Sequence, residues 1–264
     1  MIEIWHSPLS PCAQKVRLVL AEKGLAFEGH IVNLADKENL RPEYLALNPK
    51  GVVPTLRDDG VIVTESTIII EYLDDRYPDP ALRPHDAVGR ARMRYWTKMV
   101  DEKIHPGFGE LGWPLMVRPA WLKKTEAEQQ AMLAAVKDPK RRERQARLLA
   151  AGLSSQETRD SVRMLDATMA EMDAALSTGG PWITGETFSL ADAALIPYVC
   201  ALEHFGMGDM VRERHPPVAA WIARCRQRPS FEVAIRAVVP ASRWAELAER
   251  GADAWATLRP SLAA

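Results

Sequence analysis

Cysteine is scarce in this chain of 264 residues: Cys12, Cys200 and Cys225 are the whole set, an odd number without C-x-x-C or zinc-finger spacing. That excludes a disulfide framework and a cysteine-based zinc site, no metal is expected, and a reducing cytoplasm becomes the default location. Net charge is nearly absent as well, with 34 Lys and Arg against 35 Asp and Glu. No general attraction to nucleic acid or acidic membranes is expected from such a balance. No uncharged apolar run reaches the ~18 residues that a spanning helix needs. A signal-peptide pattern is missing too, because Glu3, Lys15, Arg17, Glu22 and Lys23 interrupt the beginning of the chain. Against these absences stand 47% hydrophobic and 26% charged residues, the proportions of an ordinary globular protein. The length suits one large or two modest domains.

The first eighty residues read as β-α-β-α-β-β-α. Ile2 to Trp5 alternates as a strand, and Ser7-Pro8-Leu9-Ser10-Pro11 breaks it. A helix follows from Ala13 to Lys23, stopped by Gly24. Phe27 to Leu34 is strand-like, and Arg41 to Leu45 is a short helix. Val52 to Leu56 and Val61 to Val63 flank Asp58-Asp59-Gly60, a hairpin signature. A helix is expected from Ser66 to about Tyr77. Pro78, Pro80 and Pro84 then mark a linker, beyond which no strand is expected. Met93, Trp96 and Val100, and then Leu165, Met169, Met172 and Leu176, recur at helical spacing. Ser154-x-x-Glu157 and Ser189-x-x-Asp192 have the form of capping boxes. The fold class is therefore α/β plus all-α: a small sheet domain at residues 1–80 and a helical domain at 86–264. The basic stretch from Lys137 to Arg147 lacks aromatic interleaving and reads as a solvated helix face.

Three places could carry chemistry. Pro11 at a first helical position makes Ser10 an N-cap, and a helix N-terminus also attracts anions. A thiolate placed there and hydrogen-bonded by the Ser10 hydroxyl would have its pKa lowered. Cys12, in the same turn, is either a low-pKa nucleophile or a small buried residue. At the second place Pro54 cannot donate to a ladder, so it belongs at an edge or bend. Were its peptide bond cis, the Val53 N–H and C=O would face outward, where an extended peptide can pair with them. At the third place, Glu65 and Ser66 open a helix. They either cap it or receive the ammonium and carboxylate of an amino-acid head group. Together the three places describe a peptide that carries a thiol.

On the stretches Ser7 to Arg17, Pro42 to Pro54, Thr64-Glu65-Ser66, Phe188 to Asp192, His215 to Trp221 and Arg228 to Phe231, the chain resembles the cytosolic glutathione S-transferases. The resemblance implies a thioredoxin-like N-terminal domain that binds glutathione as co-substrate, a helical domain with a hydrophobic pocket, and a homodimer. Ser10 falls where serine-type members keep the catalytic hydroxyl, so the implied mechanism is thiolate activation. Val53, Pro54, Glu65 and Ser66 are the implied glutathione contacts. Leu40 occupies the usual slot of a lysine that grips the glycyl carboxylate, which leaves Asn39, Lys37 or Arg41 as its substitute, with Arg41 taken as the candidate. Val52 stands where glutamine is common.

Met93 to Glu102 and Leu111-Gly112-Trp113 are similar to the bacterial β-etherases, glutathione-dependent enzymes that cleave β-aryl ethers. Phe108, Trp113, Met116 and Trp121 lie among Gly107, Gly109, Gly112, Pro114 and Pro119. Such a stretch is not expected to form a plain helix, and its aromatic residues are candidates for the wall or lid of an acceptor pocket. The expected activity is attack of activated glutathione on a hydrophobic aromatic electrophile. The alternatives are thiol transfer through Cys12 and a non-catalytic binding module.

Overall fold

Ile2, Ile4 and His6 are buried and alternate with half-buried Glu3 and Trp5, which makes β1 (Ile2–His6) a strand with one covered face. This computed structural model describes residues 1–34, 36–136 and 138–262. Helix α1 (Pro11–Glu22) buries Val16, Val19 and Leu20 and returns the chain to β2 (Phe27–Ile31), parallel to β1. After the short α2 (Pro42–Leu47), β3 (Thr55–Asp58) pairs antiparallel with β1 and with β4 (Val61–Thr64). The β3–β4 turn takes positive φ at Asp59 (46°) and Gly60 (87°), the conformation that a two-residue hairpin turn of the I′ type requires. Helix α3 (Ser66–Arg76) follows, and the sheet order is β2-β1-β3-β4. The strand and helix order expected for the thioredoxin-like half is the one observed.

Beyond it the described residues form no named strand, only helices and one isolated bridge between Trp182 and Gly185. They include α4 (Ala87–Met99), a π-helical stretch (Val100–Ile104), α5 (His105–Met116), α6 (Arg118–Trp121), α7 (Glu126–Ala134), α8 (Pro139–Ala151), α9 (Gln156–Gly179), α10 (Leu190–His204) and α11 (Pro216–Cys225). The chain divides into two compact units. The first is Met1–Lys98 with Ala175–Pro197 and Ala220–Pro240, and the second is Met99–Ala174 with Tyr198–Ala219 and the chain from Ala241. No helix is long and apolar enough to cross a membrane among the described residues. In the basic stretch, Lys137 lies outside the described residues, while Lys140, Arg141 and Arg147 are exposed.

In the first unit, one arm of the expected Ser189 box forms: the Ser189 N–H donates to Asp192 Oδ2 (2.9 Å). The Ser189 Oγ also donates to that carboxylate (3.0 Å) and accepts from the Ala191 N–H (3.3 Å), not from that of Asp192. Asp192 is fully buried and also accepts from the Ile183 N–H (3.0 Å) and Trp221 Nε1 (2.8 Å), which locks α10 against α11 in that unit. The other box is corrected by one residue. Ser155, not Ser154, caps α9 by accepting from the Thr158 N–H (3.1 Å), and the Glu157 carboxylate pairs with Arg147 instead. Two adjacent serines leave the register open in the sequence. The preceding 3-10 turn, Gly152–Ser154, consumes the first of them.

The expectation for residues 105–121 is also corrected, because His105–Met116 is one continuous helix. Pro106 follows directly on the π-helical turn, whose last bond runs from the His105 N–H to the Val100 carbonyl, and Pro119 falls in the first turn of α6. Pro114 lies inside α5 and deprives the Glu110 carbonyl of its usual donor, which the Thr158 hydroxyl replaces at 3.2 Å. Gly107 is a close approach, since a Cβ there would meet the Met164 methyl at 2.2 Å.

Candidate functional site

The strand register gathers the three sequence stations. Trp5 pairs with Thr55, and Thr55 with Thr64. The chain leaving β1, the chain entering β3 and the chain leaving β4 therefore meet at one end of the sheet. Ser7–Ser10, Val53–Pro54 and Glu65–Ser66 are those three segments. Helices α1 and α3 both begin there, so the positive ends of two helices lie at this end.

Ser10 is the N-cap of α1, with extended backbone (φ −67°, ψ 118°). Its Oγ accepts from the Ala13 N–H (3.3 Å), and its N–H closes a turn on the Ser7 carbonyl (3.1 Å). Among the described residues the hydroxyl hydrogen has no acceptor. Capping and donation to a ligand are thus compatible on one side chain. Cys12 stands half-buried in the first turn of the same helix, and none of the three cysteines is in a disulfide.

Val53–Pro54 is a cis peptide. The carbonyl before it, that of Val52, is held by the Tyr44 hydroxyl (2.6 Å) and Asn48 Nδ2 (2.9 Å). Burial raises the pKa of the Tyr44 phenol, which keeps it a donor at neutral pH. With Val52 fastened inward, Val53 is left with neither its N–H nor its C=O bonded among the described residues. That is an open extended edge of one residue.

Glu65 has φ 67° and ψ 114°, a conformation that a non-glycine residue rarely adopts and that costs about 1–3 kcal/mol. It occupies the N-cap position of α3, yet its side chain makes no cap bond. Ser66 is the first helical residue and is buried. The capping explanation for these two residues is therefore corrected: α3 begins without a side-chain cap. The Glu65 carboxylate is paired with exposed Lys50 (2.8 Å), which the sequence reading missed although Lys50 stands in plain view between Pro49 and Gly51.

Arg41 makes no bond to these three segments among the described residues, and its side chain is open to solvent. It is exposed at the start of α2 and pairs with Glu38 (3.2 Å), while Asn39 Nδ2 donates to the Gly51 carbonyl (2.7 Å) and Leu40 is exposed. In the second unit, Phe108 is buried, stacked on Phe205 (5.2 Å between centroids) and edge-on to Tyr198 (5.5 Å). Trp113 and Trp121 are half-buried and meet edge-on at 5.4 Å, and Met116 is half-buried near Gly112. A cavity of about 390 Å³ in the first unit is lined by Arg92, Tyr95, Trp96, Ile183 and Thr184 among others, and contains none of these candidates. Glu3, Glu28 and His30 are the metal-ligand grouping found among the described residues; Arg57 occupies the Glu3 carboxylate, and the group lies along the strands and not at their ends.

Known proteins match both halves of the chain. Residues 5–81 match the model of the glutathione S-transferase N-terminal domain, and residues 141–224 match that of its C-terminal domain. Protein LigF of Sphingobium sp. (strain NBRC 103272 / SYK-6) is 32% identical over 221 residues, 81% of this chain and 84% of that protein. The crystal structure of beta-etherase LigF from the same strain superimposes with a TM-score of 0.77 at 30% identity, covering 88% of this chain and 98% of that one. Maleylacetoacetate isomerase of Pseudomonas aeruginosa is 46% identical over 100 residues, 37% of this chain and 47% of that protein. With both domain models matched and a relative aligned over most of its length, the chain belongs to the glutathione S-transferase family, whose co-substrate is glutathione.

Proposed function

We propose that Ser10 activates the glutathione thiol for attack on a hydrophobic aromatic electrophile, and that β-aryl ethers are among the acceptors. The carrying observation is the Ser10 hydroxyl at the start of α1, capping through its oxygen with its hydrogen uncommitted. The thiol gives its proton to water, the Ser10 hydrogen donates to the sulfur anion that remains, and the thiolate is held in the field of the helix N-terminus. Ser10 forms no covalent bond. The sulfur attacks the ether carbon, the carbon–oxygen bond breaks, and the phenolate leaves to take a proton from water.

Glutathione lies as an extra extended segment beside Val53, the residue that enters the cis bond to Pro54, and its γ-glutamyl carboxylate meets the Ser66 hydroxyl and the positive end of α3. Glu65 faces the ammonium, and Arg41 reaches the glycyl carboxylate. Residues 1–80 carry these functions, and 86–264 carry acceptor binding through Phe108, Trp113, Met116 and Trp121. Likeness to the beta-etherase LigF supports the ether reading and a place in the breakdown of aromatic compounds. Reduced cysteines support action in the cytoplasm. Exposed apolar side chains on one unit, Val61 and Ile62 of the edge strand, Ile68 of α3, and Val88 and Tyr95 of α4, support a homodimer.

The deciding experiment incubates the protein with glutathione and a panel of aryl halides and β-aryl ethers, with products identified by mass. A glutathione thioether together with the freed phenol is the expected result. A panel returned unchanged refutes the transferase reading, and a mixed disulfide on Cys12 transfers the chemistry to that thiol.

A further inference from the structure

Arg17, in the second turn of α1, is 2% exposed, and no carboxylate pairs with it among the described residues. A guanidinium is rarely buried that way. Three of its five N–H donors are spent on neutral acceptors, each of a different residue of the first unit. Nε donates to the Ala234 carbonyl (2.8 Å), one terminal nitrogen donates to His6 Nδ1 (3.0 Å), and the other donates to the Pro8 carbonyl (2.9 Å). Burial draws Arg17 down to about 10, so it remains charged at neutral pH. Burial first, then the Arg17 charge, draws His6 down to about 4, which leaves Nδ1 an acceptor.

The grip on Pro8 matters because of where that carbonyl lies. Ser7 to Ser10 is a four-residue turn closed by the Ser10 N–H on the Ser7 carbonyl (3.1 Å), with Pro8 in its second position. The Pro8 carbonyl belongs to the central peptide of the turn, and the direction of that peptide is what separates type I from type II turns. Flipping it redirects Leu9 and the residue after it. Gln14 Nε2 donates to the same carbonyl (3.3 Å), so two side chains of α1 aim at one peptide plane in the turn that delivers its own N-cap.

We infer that Arg17 is the positioning residue of the Ser10 hydroxyl: by holding the Pro8 carbonyl from below while tied to His6 and Ala234, it keeps the turn in the one peptide orientation that presents the hydroxyl to the glutathione sulfur. The inference rests on the reading that Ser10 activates glutathione. It assigns Arg17 no contact with either substrate. A lysine preserves the charge but not the planar fork that spans three acceptors, so Arg17→Lys separates position from charge.

The test compares full-length wild type with Ser10→Ala, Arg17→Lys and Gln14→Leu. It measures glutathione affinity by calorimetry, ionisation of the bound thiol by ultraviolet titration, and the pH profile of kcat and KM with an aryl halide. Arg17→Lys is expected to lose about 10- to 100-fold in kcat, because small misplacements of a reacting group are that costly. Its bound thiol should ionise at higher pH, toward the Ser10→Ala value, with glutathione affinity within about 3-fold of wild type. Gln14→Leu, which removes the second donor to Pro8, should shift the same quantities in the same direction by about 2- to 5-fold in kcat. Should Arg17→Lys not fold, Gln14→Leu decides alone. Thiol ionisation unmoved in the folded variants, even with lower thermal stability, marks a merely structural role and overturns the inference. A wild-type Ser10→Ala overturns the Ser10 reading itself, whereas an impaired Ser10→Ala beside unaltered Arg17→Lys and Gln14→Leu overturns this inference alone.

Discussion

The Ser10 oxygen accepts from the Ala13 N–H, and among the described residues its proton has no acceptor; under the proposed function that proton is hydrogen-bonded to the glutathione sulfur. Ser10→Ala should therefore show two separable losses. Unfolding free energy should fall by about 1 kcal/mol, the usual value of an N-cap. Turnover should fall by roughly 10- to 1,000-fold as one preorganised donor disappears, with glutathione affinity nearly kept. Denaturant unfolding and steady-state kinetics on the same preparation check both. Ser66 behaves differently, since it follows the N-cap position and no cap bond is made at that end. Ser66→Ala should weaken glutathione binding by about 1–3 kcal/mol in calorimetry while thermal stability stays near wild type. A large drop in melting temperature with unchanged affinity would reverse that assignment. Both serines are legible in the sequence as helix openings. The difference between them is not, because it depends on whether φ turns positive one residue earlier, at Glu65.

The element that connects β1 to α1 carries its own pH signature. His6 is buried and held to about 4, first by burial and then by the charges of Arg17 and His30. A histidine depressed in the folded state contributes stability that is complete above its unfolded pKa of about 6.5 and disappears as pH falls toward 4. The shift corresponds to roughly 3 kcal/mol. Urea unfolding followed from pH 7 to 4 should show this loss in wild type, and His6→Gln should remove that part of the slope. Parallel pH dependences would place the loss on other groups. Helix α5 shows the limit of reading elements from residue types. Glycine and proline predict a break there, but Pro106 follows directly on a π-helical turn, Pro119 sits in the first turn of α6, and the Thr158 hydroxyl repairs the bond that Pro114 removes from the Glu110 carbonyl. Thr158 is 48 residues away, a partner that no local rule can see.

At the scale of the whole molecule, acceptor choice should follow the second unit. Trp113 and Trp121 are half-buried against each other, each wall worth about 0.5–1.5 kcal/mol beyond area burial toward a flat ring. Trp113→Ala and Trp121→Ala should change the acceptor KM or the product ratio, with glutathione affinity unchanged. Wild-type kinetics toward every acceptor in both variants would make them packing residues only. Phe108 is the less promising wall, because Phe205 and Tyr198 already cover its ring. By itself the sequence determined the order of strands and helices in the first eighty residues, the hairpin at Asp59-Gly60, the Ser189–Asp192 contact, and the helix openings at Ser10 and Ser66. Each of these depends on residues within about four positions of one another, where periodicity, turn chemistry and capping act. Tertiary structure alone decided that Ser155 and not Ser154 caps α9, that α5 stays helical, that Lys50 meets Glu65, and that Arg17 grips the Pro8 carbonyl between His6 and Ala234. Those outcomes are fixed by partners distant in the chain, whose hydrogen bonds and packing exist only once the sheet register and helix contacts have formed.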